Sequence, residues 1–136
     1  MLQRRKEKTD KSNTSKYKAV RTGIFRSRIE ERSNQILSES GLEFCYECKH
    51  IILLDKFTYE GKNYRELKYI PDFIVTHDNI QYYIEIKGFE TPEFKLKWKL
   101  LNYYLYNNIE KYGDVRLVLI KNLKELNTFI NERSSN

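Results

Sequence analysis

Two short runs, YIPDFIV at 69–75 and YIEIKGF at 83–89, constrain this chain more than any others. Both are built from Ile, Val, Phe and Tyr, the composition of a strand that joins a core. Yet Asp72 stands between Pro71 and Phe73, and Glu85 and Lys87 stand two apart. A charge stripped of water costs several kcal/mol unless it is paired and hydrogen-bonded, so these three need a joint explanation. Side chains alternate across a strand, which puts Tyr83, Glu85 and Lys87 on one face and Tyr82, Ile84 and Ile86 on the other. If HDN at 77–79 makes a hairpin, Asp72 lies on the adjacent strand and the two acids become cross-strand neighbours. Neighbouring carboxylates repel and raise one another's pKa unless a cation sits between them. A hard divalent ion, which prefers oxygen ligands, supplies one. The plainer alternative is an ion pair between Lys87 and either acid on a solvent-facing sheet.

A third acid bears on that choice. In FRSRIEERSNQIL, Ser27 and Glu30 have the S-x-x-E spacing of a capping box, where a helix begins. Glu30 is then a capping residue, and a glutamate fixed in a first turn also points in a defined direction. It could complete an acidic pocket, with Glu31 as the near competitor.

The surrounding chain reads as α/β. SRIEERSNQILSES (27–40) is predicted helical with Gly41 as its stop, and EFCYECKHIILLD (43–55) is predicted as one long strand. A hairpin follows with its turn at EGKN, then the two charged strands. Thr91 caps a helix with Pro92 at its first position, striped by Phe94, Trp98, Leu101, Leu105 and Ile109. VRLVLI (115–120) is a short strand, and Asn122 starts a last helix with Leu123, Leu126, Phe129 and Ile130 inward. There is no internal repeat and no Gly-rich phosphate loop.

Charge is unevenly placed. Residues 1–22 hold eight Lys or Arg against Glu7 and Asp10, so the chain's whole formal excess of +6 sits there. This arm has too few apolar residues to bury a face and is expected to be disordered. It is either a solubilising tail or a segment that follows phosphates and releases counterions. No apolar run approaches the ~20 residues of a membrane span, and no apolar leader segment is present. Two cysteines without a leader argue for a reducing compartment and no disulfide framework. In CYEC, positions i and i+3 of a strand would face opposite sides, and no second pair closes a zinc site, so neither zinc nor a redox pair is expected.

The order S-x-x-E on a helix, then Pro71-Asp72, then Glu85-Ile86-Lys87-Gly88 resembles the PD-(D/E)xK nuclease superfamily. Within it, FRSRIEERSNQILSESGLEFCYE, YIPDFIV and YIEIKG are similar to phage junction-resolving nucleases of the endonuclease I type. FTYEGKNYRELKYIPDF and KGFETPEFKLKWKLLNYY look still more like a family of small phage nucleases of that superfamily. The resemblance covers roughly residues 23–120, and relative to the endonuclease I type the sequence carries an extra hairpin at 56–68 and lacks a longer C-terminal region.

That resemblance implies a restriction-endonuclease-like core at 23–132, a mixed β-sheet flanked by helices, preceded by the basic arm at 1–22. It implies an Mg²⁺-dependent endonuclease, with Mn²⁺ able to substitute, acting on branched DNA as a Holliday junction resolvase. Asp72 and Glu85 would bind the ion with the Ile86 carbonyl. Glu30 would hold a second ion or a metal-held water, and Lys87 would orient the attacking water and steady developing charge. DNA contacts would come from Arg4, Arg5, Lys6, Lys16, Lys18 and Arg21 of the arm, Arg26 and Arg28 at the first helix, and Lys95 and Lys99 one turn apart on the helix after Lys87. A junction has two strands to cut, so a homodimer is expected, working in the cytoplasm of a host cell. The alternatives are a nickase or endonuclease with another DNA preference, and a non-catalytic nucleic-acid-binding module.

Overall fold

The computed structural model describes residues 25–134, and the basic arm's Arg4, Arg5, Lys6, Lys16, Lys18 and Arg21 lie outside them. The described residues are mixed α/β and fall into two compact units. One runs to Gly41 and resumes at Asn122, and the other is Leu42–Lys121.

The first unit is helical. Helix α1 (Arg28–Ser40) starts where the capping spacing predicts, with Ser27 Oγ accepting the Glu30 amide at 3.3 Å. It stops at Gly41, whose φ of 82° is the left-handed conformation a glycine adopts without strain. The chain returns to this unit at α4 (Leu123–Ser134), capped by the Asn122 side chain, which accepts the Glu125 amide at 2.8 Å. Leu126, Phe129 and Ile130 of α4 are buried, as is Leu37 of α1, and the two helices are in contact.

The second unit is built on a four-stranded sheet in the order β1 (Glu43–Tyr46), β6 (Phe73–His77), β7 (Ile80–Ile86), β8 (Val115–Ile120). β1, β6 and β7 are antiparallel neighbours, joined between β6 and β7 by a two-residue turn in which Asp78 and Asn79 both have positive φ. β8 is parallel to β7, so the chain must cross over between them. Helices α2 (Pro92–Tyr106) and α3 (Ile109–Tyr112) make that crossover, and α2 begins with Thr91 Oγ1 accepting the Phe94 amide at 3.0 Å. Ile109 was expected in the same stripe as Phe94 and Leu101, but α2 ends at Tyr106, and Ile109 is exposed in α3.

Between β1 and β6 the chain leaves the sheet in an antiparallel ribbon. β2 (Ile51–Leu54) pairs with β5 (Leu67–Tyr69), and further out β3 (Phe57–Tyr59) pairs with β4 (Lys62–Tyr64) around a turn at Glu60 and Gly61. The single long strand expected over 43–55 is therefore two strands in different sheets. The break lies at Glu47, whose φ of 46° takes the backbone out of the extended region. The same bend brings Cys45 and Cys48 together, Cα atoms 5.9 Å apart, in a disulfide. The expectation of unpaired cysteines is corrected accordingly: side chains three apart oppose one another only on an uninterrupted strand.

One sheet face carries a core of Ile51, Tyr69, Ile74, Tyr83 and Leu101, with Trp98, Tyr104 and Leu105 of α2 packed against it. The plainer alternative, a solvent-facing sheet on the Tyr83 side, does not hold, since Tyr83 is 1 % exposed. Phe73, Val75, Ile84 and Ile86 are also buried, so β6 and β7 are apolar on both faces. No helix among the described residues is long and apolar enough to cross a membrane.

Candidate metal centre

The strand register decides where the acids meet. Phe73 faces Ile84 and Ile74 faces Tyr83, so one step along the same register Asp72 faces Glu85. On the other flank Tyr46 faces Phe73, so Glu47 faces Asp72, and the Glu47 amide donates to the Asp72 carbonyl at 2.9 Å. Glu47, Asp72 and Glu85 thus form a transverse row over three adjacent chain segments at one end of the sheet. Directly opposed residues of an antiparallel pair project to the same face, which puts the Asp72 and Glu85 side chains on one face, while Glu47 has left the extended backbone.

Asp72 is fixed at its centre. Pro71 ends the approach to the strand, and Asp72 Oδ2 accepts the Ile86 backbone N–H at 2.8 Å. That bond ties the Pro-Asp segment to the Glu-x-Lys segment through the middle residue of the latter. Asp72 is buried, so its charge needs such donors or a cation. A carboxylate oxygen of Glu47 lies within 4.8 Å of one on Asp72, a spacing that a shared divalent cation spans.

Glu85 is half-buried, and its Oε1 accepts the phenol O–H of Tyr69. Burial first, then the charge of Glu85 and the bond to it, and last the charge of Asp72, hold the Tyr69 phenol protonated far above its ordinary range. A phenol so held acts as a fixed donor to the Glu85 carboxylate. Lys87 follows β7, its amide bonded to the Ile120 carbonyl at 2.9 Å. Its Nζ rests 5.1 Å from the centre of the Phe94 ring. The ammonium therefore has an aromatic seat in place of the ion pair with Asp72 or Glu85 that the plainer sequence reading allows.

Of the residues singled out from sequence, Asp72, Glu85, Ile86 and Lys87 come together in the second unit. Glu30 belongs to the helical unit, where it is buried at the start of α1. Arg26 and Arg28 are exposed before and in its first turn, and Lys95 and Lys99 are exposed on α2. Sequence reasoning missed Glu47 and Tyr69. Glu47 was hidden inside an apparently continuous strand. Tyr69 looked like one more packing aromatic, although its position three residues before Asp72 places it at the neck of the ribbon.

The donor set suits a hard cation: carboxylates in a row, with no histidine or thiolate among them. The family model described as "Protein of unknown function (DUF1064)" matches residues 10–127. No curated protein and no solved structure matches the chain.

Proposed function

The chain belongs to the DUF1064 family, and we propose that it is a Mg²⁺-dependent endonuclease of the PD-(D/E)xK type that hydrolyses DNA, preferring branched substrates such as four-way junctions. The observation that carries the reading is the Ile86 N–H bond to Asp72 Oδ2 at 2.8 Å, because it welds the two halves of the motif into one site. The hairpin register brings the two segments side by side, and the bond adds that the Asp72 carboxylate itself is turned onto the Glu-x-Lys backbone.

Each residue has a task that its surroundings support. Asp72 and Glu85, with the Ile86 carbonyl, would hold the cation, and Glu47, whose carboxylate lies within 4.8 Å of that of Asp72, would add an oxygen donor. A divalent ion bound there would polarise the scissile phosphate and ease deprotonation of the attacking water. Tyr69 keeps the Glu85 carboxylate oriented. Lys87, on a flexible stem, leaves Phe94 to hydrogen-bond a non-bridging phosphate oxygen and hold the water in line. Glu30 keeps the role that the sequence resemblance implies. Phosphates beyond the site meet Lys95 and Lys99.

A junction needs two cuts in symmetric strands, and one chain carries one such motif, so the working form is a two-fold dimer. Its place of action is where DNA is replicated or recombined, the cytoplasm of a host cell.

The test is cleavage of end-labelled duplex, flap and four-way junction DNA, each in Mg²⁺ and in EDTA. Metal-dependent nicking, fastest on the junction, is expected. Cleavage that survives EDTA, or binding of all three without cleavage in Mg²⁺ or Mn²⁺, would sink the proposal. A preference for flap or duplex would keep the chemistry and change the substrate.

A further inference from the structure

The outer half of the ribbon is unlike the rest of the protein. Every residue from Asp55 to Glu66 is exposed, although the segment keeps a regular antiparallel register and a two-residue turn. A two-stranded ribbon with no covering layer is marginal in water, so regular structure here needs side-chain support of its own.

That support comes from one face. Phe57 pairs with Tyr64, Thr58 with Asn63 and Tyr59 with Lys62. By the alternation of a strand, Phe57, Tyr59, Lys62 and Tyr64 share one face, and Thr58 and Asn63 share the other. The Phe57 and Tyr64 rings stack, centroids 4.8 Å apart and planes 10° from parallel. Lys62 Nζ lies 5.4 Å from the centre of the Tyr64 ring. On the opposite face Thr58 Oγ1 donates to Asn63 Oδ1 at 2.7 Å. The aromatic face is left in water: Phe57 is 44 %, Tyr59 64 % and Tyr64 39 % exposed.

We propose that this face is a stacking platform for unpaired bases of the nucleic acid bound at the metal centre. Three aromatic rings beside one lysine, with no aliphatic residue between 57 and 64, suit bases and the phosphates between them. Aromatic rings are also common in protein interfaces, but lysine is depleted there, and Lys62 lies within this face. Lys56 and Arg65 flank the stacked pair, Asp55 and Glu66 stand just outside them, and Glu60 is set apart in the turn, so Lys62 is the charge within the aromatic face itself. The platform is also continuous with the site. The ribbon returns through β5 to Tyr69, whose phenol bonds Glu85. From Tyr69 to Tyr64 the chain spans at most roughly 17 Å at ~3.3 Å per residue. That distance corresponds to about five duplex steps at ~3.4 Å each. The inference rests on nucleic acid being the substrate, and it specifies what kind: DNA whose bases are open within a few nucleotides of the cut.

Binding is measured in EDTA, so that cleavage plays no part. The full chain is titrated into a fluorescein-labelled oligothymidylate and, separately, a duplex of the same length, read by anisotropy. Tyr59→Ala and Tyr64→Ala should each weaken single-strand binding about 5- to 100-fold, the range of a lost base–aromatic stack. Duplex binding should barely change. Tyr59→Phe and Tyr64→Trp should restore the affinity, and Thr58→Ala and Asn63→Ala on the other face should not alter it. 2-Aminopurine within the single strand should be quenched by the wild type and less by the alanine variants. Equal losses on duplex and single strand, or no loss on either, would overturn the proposal. So would a concentration-dependent dimer, seen by sedimentation, that Tyr59→Ala abolishes, since the face would then be filled by a second copy. Stacking without any cleavage in Mg²⁺ would leave this inference standing and remove the nuclease.

Discussion

Replacing Tyr69 by Phe removes one hydroxyl and nothing else, which makes it the sharpest probe of the metal centre. The ring stays in its core of Ile51, Ile74, Tyr83 and Leu101, so no cavity opens. What is lost is a donor to the Glu85 carboxylate, a bond to a charged group of the kind worth about 1.5–3 kcal/mol. Glu85 is only half-buried, so water recovers part of that, and the stability loss should fall at or below the lower end. The larger effect should be on ion binding. Residues that orient a ligating carboxylate typically contribute about 10- to 100-fold to metal affinity or activity. With saturating junction DNA, the Mg²⁺ concentration for half-maximal cleavage should rise by about that factor, while the maximal rate at high Mg²⁺ stays near wild type. DNA affinity in EDTA should be unchanged. Mn²⁺ binding, followed by the electron paramagnetic resonance of the free ion, should weaken in parallel without reference to activity. If the metal requirement is unaltered and only the melting temperature falls, Tyr69 is a packing residue and Glu85 needs no such support.

Three further outcomes follow from the same geometry. Asp72→Asn, Glu85→Gln and Lys87→Ala should each abolish cleavage yet retain DNA binding in gel-shift assays, and near-wild-type turnover by any one would remove that residue from the mechanism. Tyr83→Phe deletes a buried phenol oxygen that has no hydrogen-bond partner among the described residues, so stability in urea should hold or rise by up to about 1 kcal/mol, and a clear fall would reveal a water bridging that oxygen. Burial and the bond to Tyr104 push the Tyr112 phenol up to about 12 from an ordinary value near 10. The folded state then binds that proton more tightly than the unfolded one. Its contribution is complete below pH ~10 and lost as pH rises through ~12, and Tyr112→Phe should flatten the fall in denaturation midpoint across that window.

Much of this fold was legible because its signals were local. Ser27, Gly41, Thr91 and Asn122 punctuate the helices by side-chain or backbone chemistry that needs no tertiary context. The Asp78-Asn79 turn fixed the β6–β7 register, and with it the meeting of Asp72 and Glu85. What failed depended on one unusual backbone angle. Nothing in FCYECKHIILL announces that Glu47 turns away from the strand, because glutamate has no preference for positive φ. From that angle came the division of the strand, the Cys45–Cys48 disulfide and the place of Glu47 beside Asp72. The helix stripe was overextended for a related reason: the apolar period continues through Ile109 although the backbone stops being helical after Tyr106.

The position of Glu47 also gives the ribbon and the site a common physical logic. A residue held at positive φ needs support from its surroundings. Here that support is twofold. The Glu47 amide is bonded to the Asp72 carbonyl, and the disulfide closes over the residue from both sides. The chain leaving this bend becomes β2, the first arm of the ribbon, and the chain returning through β5 delivers Tyr69 to Glu85 and then Pro71-Asp72 to the row of acids. Both ends of the ribbon are therefore anchored in the carboxylates, and its exposed aromatic face lies beyond that anchor. The proposed metal chemistry and the proposed base stacking thus fall on the two ends of one element, and they can be separated, residue by residue, at Tyr69 and Tyr59.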